Sequence, residues 1–208
     1  MKLGVISDVH ADLKGLLTAL RILRREGVER VLCAGDIVER GGEGDEVVRV
    51  VRQGQILCVQ GNHDYSAAGN QAWLCQHGDP SNPALQRRLL SDESLHYLSR
   101  LPPRLSFSQD GVRVMLAHGA PWSDMVYLFP DSPDYLLERA AREAQADILI
   151  LGHTHIPMWI SAGGVWIANP GSVCVPGSRT CATLDLPECV WRVFDIVTGQ
   201  AVEGLSTR

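Results

Sequence analysis

Five short polar clusters in this 208-residue chain carry side chains that can bind metal ions, and each directly follows an apolar run. They are Asp8-Val9-His10, Gly35-Asp36, Gly61-Asn62-His63-Asp64, His118-Gly119 and Gly152-His153-Thr154-His155. The clusters contain all but two of the seven histidines, and the other two, His77 and His96, are expected at the surface. Imidazole and carboxylate donors suit borderline divalent ions such as Mn²⁺, Fe²⁺, Zn²⁺, Co²⁺ or Ni²⁺. The clusters therefore predict a metal site.

Seven side chains form the candidate ligand set, and their number indicates two ions. They are Asp8, His10, Asp36, Asn62, His118, His153 and His155. Seven groups are too many for one tetrahedral site with an open position. A carboxylate can bridge two ions, and Asp36, in the middle of the order, is the candidate bridge. If their segment is extended, His153 and His155 share one face and Thr154 turns away.

The charge of such a site favours a phosphate substrate. Two divalent ions bring about +4 and the two aspartates bring about -2, so the site keeps about +2 and attracts an anion. Two ions roughly 3.5–4 Å apart can activate a bridging hydroxide and clamp phosphoryl oxygens during in-line attack. The pattern therefore indicates metal-dependent hydrolysis of a phosphate ester.

The elements around the first three clusters alternate between strand and helix. Apolar runs at 3–7, 31–34 and 56–59 are predicted strands, and helical patterns lie between them. Asp12 is expected to cap the first helix, whose apolar stripe includes Leu17. This order predicts parallel strands with helical crossovers. Because ligands bind beyond the carboxyl ends of the strands in such sheets, the clusters are expected to meet.

The second half of the chain is richer in strands. Hairpin turns are predicted at Asp110-Gly111 and Gly163-Gly164, and a helix is predicted after Ser132-Pro133. An α/β half followed by a strand-rich half suggests two packed sheets with helices outside. With no visible repeat or linker, residues 1–208 are expected to form one domain. Residues 65–109 are less regular, with short helices predicted near 83 and 92, and are expected to overhang the site.

Composition and charge exclude several classes of protein. Hydrophobic residues make up 45 % and charged residues 21 %, which argues against wholesale disorder. The net charge of -5 and the lack of a basic tract argue against binding of a nucleic-acid polymer. No apolar run suits a membrane span or a signal peptide, so a cytoplasmic protein is expected. The six cysteines lack C-x-x-C spacing and are expected to be reduced thiols, with Cys33 and Cys58 in the core.

The ordered motifs D-x-H, G-D, G-N-H-[DE], H and G-H-x-H resemble the calcineurin-like metallophosphoesterases, in particular their compact single-domain bacterial and archaeal group. The resemblance implies a four-layer αββα sandwich of two mixed sheets flanked by helices, with a dinuclear metal site at the strand C-terminal ends. It implies one ion, with Mn²⁺ favoured, on Asp8, His10, Asp36 and His155. It implies a second ion on Asp36, Asn62, His118 and His153.

The resemblance also implies roles around the metals. His63 is implied to be the catalytic histidine that contacts phosphate and assists the leaving group, with Asn62 beside it. The segment from Gly35 to Gly41 is similar to the G-D-x-V-D-R-G motif of protein Ser/Thr phosphatases, in which the acid orients this histidine and the arginine holds phosphate. Glu39 and Arg40 therefore form either such a pair, with Arg40 binding substrate, or a solvated ion pair.

Two other features leave structural alternatives open. Asp64 is expected to be a structural hydrogen-bond acceptor rather than a catalytic group. The apolar and aromatic stretch with Trp122, Tyr127, Leu128 and Phe129 is expected to pack in the core, and a pocket wall or a subunit interface is the alternative.

The leading interpretation is a phosphoesterase that hydrolyses phosphate mono- or diesters by attack of a metal-bridging hydroxide, with Asp36 and His63 as catalytic candidates. Its expected substrates are small phosphorylated molecules, nucleotides or dinucleoside polyphosphates. The alternatives are protein Ser/Thr phosphatase activity and an inactive metal-binding scaffold for protein assembly. The oligomeric state is left open, and a homo-oligomer is compatible with the sequence.

Overall fold

The computed structural model describes residues 1–176 and 179–204. Residues 177, 178 and 205–208 of the expected domain lie outside these ranges. Over the described part of the chain the strands are β1 (Lys2–Ile6), β2 (Arg30–Cys33), β3 (Leu57–Cys58), β4 (Arg104–Gln109), β5 (Val112–Ala117), β6 (Ile148–Ile150), β7 (Met158–Ala162), β8 (Val165–Asn169), β9 (Thr180–Asp185) and β10 (Val190–Asp195). The helices are α1 (Leu13–Arg25), α2 (Gly44–Gln53), α3 (Asn62–His77), α4 (Pro83–Gln86), α5 (Asp92–Ser99) and α6 (Asp134–Ala144).

The strands form two mixed sheets of five strands each. The first has the order β10-β9-β1-β2-β3, and the second has the order β4-β5-β6-β8-β7. In the first sheet β1, β2 and β3 are parallel, as the alternation of strand and helix predicts. In the second sheet β5, β6 and β8 are parallel, and the two predicted hairpins form the antiparallel pairs β4–β5 and β7–β8.

Alternating side chains of the strands bury both faces of each sheet. In β5, Val114 and Leu116 pack between the two sheets, whereas Met115 and Ala117 pack on the outer side, in the cluster that contains α6. In β1, Leu3 and Val5 face the other sheet, and Ile6 faces the cluster that contains α1 and α2. Because successive strand residues point to opposite faces, this pattern gives four layers. The predicted αββα sandwich is confirmed.

Helix α1 begins and packs largely as its sequence predicts. The Asp12 carboxylate caps it by accepting a 2.7 Å hydrogen bond from the Gly15 N–H. Leu16, Ile22 and Leu23 are buried on its inner face. Leu17 is 44 % exposed, so its place in the predicted apolar stripe is wrong.

Helix α3 is the main correction to the predicted elements. The sequence indicates an irregular segment after the third polar cluster, but a 16-residue helix begins within that cluster, at Asn62. Only Asp64 and Ala67 of this helix are buried. An apolar stripe is the usual signal of a helix, and α3 has none. The third strand is also shorter than predicted, because its ladder with β2 has only two residue pairs.

None of the helices in the described ranges combines the length and apolar character that crossing a bilayer requires.

Candidate metal centre

Six of the seven candidate ligands lie on loops that follow the carboxyl ends of β1, β2, β5 and β6, and Asn62, which follows β3, is the first residue of α3. The backbone of these loops is unusual, because eight non-glycine residues have positive φ angles. They are Asp8, His10, Ala11, Asp36, Glu39, Arg40, His153 and His155, with φ between 49° and 68°. Left-handed backbone is uncommon for residues with a β-carbon and concentrates at functional sites. The chain turns in this way at five of the seven candidate ligands, which helps the side chains converge.

Two motif glycines permit the close approach of these loops. A β-carbon at Gly61 would collide with the carboxylate of Asp36. A β-carbon at Gly152 would collide with the Ser7 hydroxyl, which itself donates a 2.6 Å hydrogen bond to Asp8 Oδ2. The glycines before the asparagine and before the last two histidines are therefore needed for packing around the two aspartates.

The first donor group contains Asp8, His10 and His155. The Nε2 of His155 lies 3.0 Å from Asp8 Oδ1 and 3.4 Å from the Nε2 of His10. The Nε2 of His10 also lies 3.8 Å from Asp36 Oδ2. Donors about 2.1 Å from a common ion are separated by about 3.0–3.4 Å at octahedral to tetrahedral angles. The distances from His155 to Asp8 and to His10 lie in this range, whereas His10 is farther from both carboxylates, 3.9 Å from Asp8 Oδ1 and 3.8 Å from Asp36 Oδ2.

The second donor group contains Asp36, His118 and His153, with Asn62 at its edge. The Nε2 of His118 lies 3.3 Å from Asp36 Oδ2, 3.0 Å from Asn62 Oδ1 and 3.1 Å from His153 Nδ1. The same oxygen of Asp36 therefore faces both donor groups. Its other oxygen accepts a 2.9 Å hydrogen bond from the backbone N–H of His63. This division of the two oxygens fits a bridging ligand.

The hydrogen bonds at the centre indicate that a cation belongs there. His118 Nδ1 lies 2.7 Å from the Ala34 carbonyl and donates to it, so in the neutral ring Nε2 carries a lone pair. In the protonated ring, which Asp36 favours, the Nε2–H donates to Asp36 Oδ2 at 3.3 Å, and a metal ion would take the place of this proton. Asp8 Oδ1 is buried and has no hydrogen-bond partner. Buried polar atoms without partners are costly, and here a metal ion would satisfy them.

The pKa values at the centre follow from burial and from the two aspartates. Burial lowers the pKa of His10 to about 4, and burial together with the charge of His118 lowers the pKa of His153 to about 4. Although burial opposes it, contact with His118 lowers the pKa of Asp36 to about 2. Burial also disfavours charge on His118, yet the hydrogen bond and charge of Asp36 raise its pKa to about 9. His10 and His153 are therefore neutral donors at neutral pH.

Asp64 has the structural position that the sequence predicts. Its Oδ1 accepts hydrogen bonds from the backbone N–H groups of Ile37 and Val38, and its Oδ2 accepts one from Gly61. Burial and the charge of Asp36 raise the pKa of Asp64 to about 7. The carboxyl group joins the loop after β2 to the start of α3.

His63 is held by a chain of polar contacts at the edge of the centre. Its Nδ1 donates to Glu39 Oε2 at 2.6 Å, and the other Glu39 oxygen accepts a 2.7 Å hydrogen bond from Asn70. The hydrogen bond with Glu39 raises the pKa of His63, which favours the protonated ring. Among the described residues no ion pair joins Glu39 to Arg40, so a solvated pair between these two is not formed.

A cavity of about 250 Å³ lies over the donor groups. It is lined by Arg40, Asn62, His63 and Tyr127, together with candidate ligands of both groups. Tyr127 stacks on His153, with ring centroids 3.7 Å apart and ring planes at 21°. Tyr127 is therefore part of a pocket wall, and the expectation that it packs in the core is wrong. Leu128 is buried in the core as expected.

Sequence reasoning missed three details of the centre. His153 and His155 do not lie in an extended segment, because both have left-handed backbone. Their side chains belong to different donor groups. Thr154, which was expected to turn away, lines the cavity over these groups. Asn70 has no motif and reaches Glu39 only because α3 continues for two turns past His63, a helix without an apolar signal.

The fold and the donor set define a phosphoesterase of the αββα type. The model of the calcineurin-like phosphoesterase superfamily domain matches residues 1–188, and the chain belongs to that superfamily. Its relatives include uncharacterized protein MJ0912 of Methanocaldococcus jannaschii, 29 % identical over 82 % of this chain and 69 % of the relative. Phosphodiesterase MJ0936 of the same organism is 24 % identical over 92 % of this chain and 97 % of the relative.

Solved structures agree with this assignment. A crystal structure of a metallophosphoesterase from Sphaerobacter thermophilus is 26 % identical and superposes with a TM-score of 0.76. The match covers 98 % of this chain and 88 % of the other. The predicted resemblance is thereby confirmed.

Proposed function

We propose that this protein hydrolyses phosphate mono- or diesters of small molecules and uses two divalent metal ions. The observation that carries the proposal is the position of Asp36 Oδ2 between two groups of donors, 3.8 Å from His10 Nε2 and 3.3 Å from His118 Nε2. Two ions that share a carboxylate can act together on one phosphoryl group.

The residues that would hold the ions fall into two sets. The first set is Asp8, His10, Asp36 and His155, and the second is Asp36, Asn62, His118 and His153. When bound, such ions supply Lewis-acid chemistry, because they lower the pKa of an attacking water and offset charge on phosphoryl oxygens. The donors are imidazoles and oxygens with no thiolate, which suits Mn²⁺ and also Fe, Zn, Co or Ni.

Three residues at the edge of the centre would act on the substrate directly. Hydrolysis adds the water oxygen to phosphorus and a proton to the leaving oxygen, and His63 is the group that delivers this proton. Glu39 favours the protonated ring of His63 and fixes its orientation. Arg40 lines the cavity, and its guanidinium would bind the phosphoryl oxygens. Asn62, which belongs to the second ligand set, lines the same cavity and would also contact the substrate.

The cavity over the donors would hold the phosphoryl group of a small phosphorylated molecule. At about 250 Å³ it accepts a phosphoryl group, and its lining is almost entirely polar. Nucleotides and dinucleoside polyphosphates belong to this class. The similarity of the segment with Glu39 and Arg40 to protein phosphatases makes phosphopeptides the second class to test. The complete donor set argues against an inactive scaffold.

Metal analysis combined with a substrate panel tests the proposal. The panel contains nitrophenyl phosphate, bis(nitrophenyl) phosphate, a nucleotide and a phosphopeptide. We expect two ions per chain, and we expect hydrolysis that a chelator abolishes and added Mn²⁺ restores. The variant His118→Ala should lose the second ion and the hydrolysis, whereas His96→Ala, which removes an exposed histidine on α5, should keep two ions and full hydrolysis. Hydrolysis that survives complete removal of metal would contradict the proposal, as would metal-loaded protein inactive on every substrate.

A further inference from the structure

The cavity over the donor groups leaves the organic part of a substrate without a binding site. Its lining is polar and charged except for Tyr127, and its volume of about 250 Å³ is below the usual range of small-molecule sites. A phosphate ester bound there must extend into neighbouring space.

A second and larger cavity begins next to the metal centre. It has a volume of about 730 Å³, which lies within the range of small-molecule sites. Asn62 lines both cavities, and the candidate ligand His118 also lines the larger one. A molecule with its phosphorus at the metal centre can therefore place its organic group in this second cavity.

Three large side chains line the second cavity, and their chemistry suits a planar ring. Tyr65 is 75 % exposed, Met125 is 62 % exposed, and Trp122 is partly buried. Aromatic rings stack favourably on other rings, and a thioether makes favourable contacts with ring edges. The Arg139 guanidinium lies 3.9 Å from the centroid of the Trp122 ring, which holds the indole in place.

The charge of the second cavity argues against a second phosphate group. Apart from the candidate ligand His118, its charged lining residues are Arg104 and Asp124, whose charges are opposite. Arg104 is also engaged, because its Nη1 donates a 2.6 Å hydrogen bond to the carbonyl of Pro121. The cavity therefore favours an uncharged group over another anion.

The loop that carries Trp122 and Met125 is held by its own backbone. Ala120 N–H donates to the Val126 carbonyl at 3.1 Å, and Ser123 N–H donates to the Ala120 carbonyl at 2.9 Å. The N–H of Met125 donates to the Ser123 hydroxyl at 3.2 Å. A wall that is ordered before binding costs less entropy when a ligand binds.

We propose that this second cavity binds an uncharged planar aromatic group of the substrate, and that Tyr65, Trp122 and Met125 select for it. The inference rests on the proposed phosphoesterase function, because the phosphate of the same molecule lies at the metal centre. A nucleobase and an aryl ring are the two sources of such a group.

Matched substrate pairs test the proposal without changing the leaving oxygen. Adenosine 5′-monophosphate and ribose 5-phosphate both release the 5′-oxygen of ribose, but only the first has a base. Benzyl phosphate and cyclohexylmethyl phosphate both release a primary alkoxide, but only the first has a planar ring. The methyl diesters of all four extend the test to diester chemistry. For at least one pair, we expect kcat/KM of the Mn²⁺-loaded enzyme to favour the planar member by about fivefold or more.

Variants then locate the preference. Tyr65→Ala should lower kcat/KM for the planar member about two- to tenfold and leave the non-planar member unchanged. Met125→Ala should act in the same direction. Tyr135→Ala is the matched control, because Tyr135 is 68 % exposed on α6 and does not line the cavity. Unchanged thermal unfolding of these variants shows that the loss is not a folding defect.

The outcomes separate this proposal from the one on which it rests. Equal kcat/KM within both pairs overturns the aromatic cavity and leaves the phosphoesterase intact, as does an equal effect of Tyr65→Ala on both members. If no ester is hydrolysed, equilibrium binding of free adenosine or benzyl alcohol still reports on the cavity. Binding that Tyr65→Ala weakens and Tyr135→Ala does not then supports the cavity while the proposed reaction fails. Absence of both binding and preference overturns the cavity.

Discussion

Replacing Asp36 by Asn should remove both metal ions at once, because one of its oxygens serves both donor groups. Oδ2 faces His10 Nε2 at 3.8 Å and His118 Nε2 at 3.3 Å, whereas Oδ1 accepts the His63 N–H. An asparagine keeps the oxygen that accepts from His63. It places an amide N–H₂ where Oδ2 stood, and this group repels cations but donates to an imidazole lone pair. The metal-free fold should therefore survive the change.

The size of the effect follows from linkage between binding and folding. An ion at a free concentration of about 100 times its Kd stabilises the folded state by about 2.7 kcal/mol. For a protein of this length, each kcal/mol raises Tm by about 2–4 °C. One ion should thus raise Tm by about 5–11 °C and two independent ions by about 11–22 °C. Asp36→Asn should show almost no rise.

The assay is thermal unfolding of metal-free protein with increasing Mn²⁺, together with elemental analysis of bound metal. Mn²⁺ is preferable to Zn²⁺, because Zn²⁺ binds more tightly to free cysteines and histidines of the unfolded chain and so reduces the shift. Asp8→Asn is the informative comparison, since Asp8 belongs to the first donor group alone. This substitution should remove about half of the metal-induced rise in Tm. Glu138→Gln, an exposed change on α6, should retain the full rise.

Either of two results would refute the sharing of Asp36. If Asp36→Asn retains one ion and half of the thermal shift, Asp36 serves one site only and another group completes the other. If it retains both ions and the full shift, Asp36 is not a ligand.

Other expected outcomes concern the residues around the metals. His63→Asn should keep both ions and slow hydrolysis of alkyl esters about 10²–10⁴-fold. The loss should be clearly smaller for nitrophenyl esters, whose leaving group needs no proton, and an equal loss for both esters, with chemistry rate-limiting, would contradict proton delivery by His63. Arg40→Ala should weaken inhibition by free phosphate without changing metal content, and an unchanged inhibition constant would exclude the phosphate contact. Tyr127→Ala should weaken binding of the second ion, whereas Tyr127→Phe should not, because stacking on His153 needs only the ring. Equal metal affinities of the two variants would show that the stacked ring does not hold His153 in place.

The sequence predicts the architecture and the convergence of the candidate ligands well, for a physical reason. Strands buried on both faces give continuous apolar runs. Polar residues directly after such runs lie beyond the carboxyl ends of the strands, where ligands bind in such sheets. Asp8, His10, Asp36, His118 and His153 therefore come together as expected. The left-handed turns at Asp8, His10, Asp36 and His153 leave no sequence signal, because they go with close contacts between loops.

The contacts from α3 could not be predicted, because its sequence has no apolar stripe. Ala67 is its one buried apolar side chain, so the helix is held mainly by its polar ends and by α5. Asn70 and Tyr65 point into the surroundings of the metal centre only once this segment is helical. Periodicity detects burial, and a helix that lies at the surface over a polar site is therefore hard to detect.

The start of α3 also explains how the centre tolerates two buried acids. The backbone N–H of His63 donates to Asp36, and the N–H of Gly61 donates to Asp64. His63 lies in the first turn of α3 and Gly61 is its N-cap, and at this end of a helix unpaired N–H groups and the helix dipole favour negative charge. The N-terminus of α3 is thus occupied by carboxylates of this chain and not by substrate phosphate. Under the proposed function, positive charge for the phosphate would come from Arg40, His63 and the metal ions, so loss of metal should remove most of the affinity for phosphate.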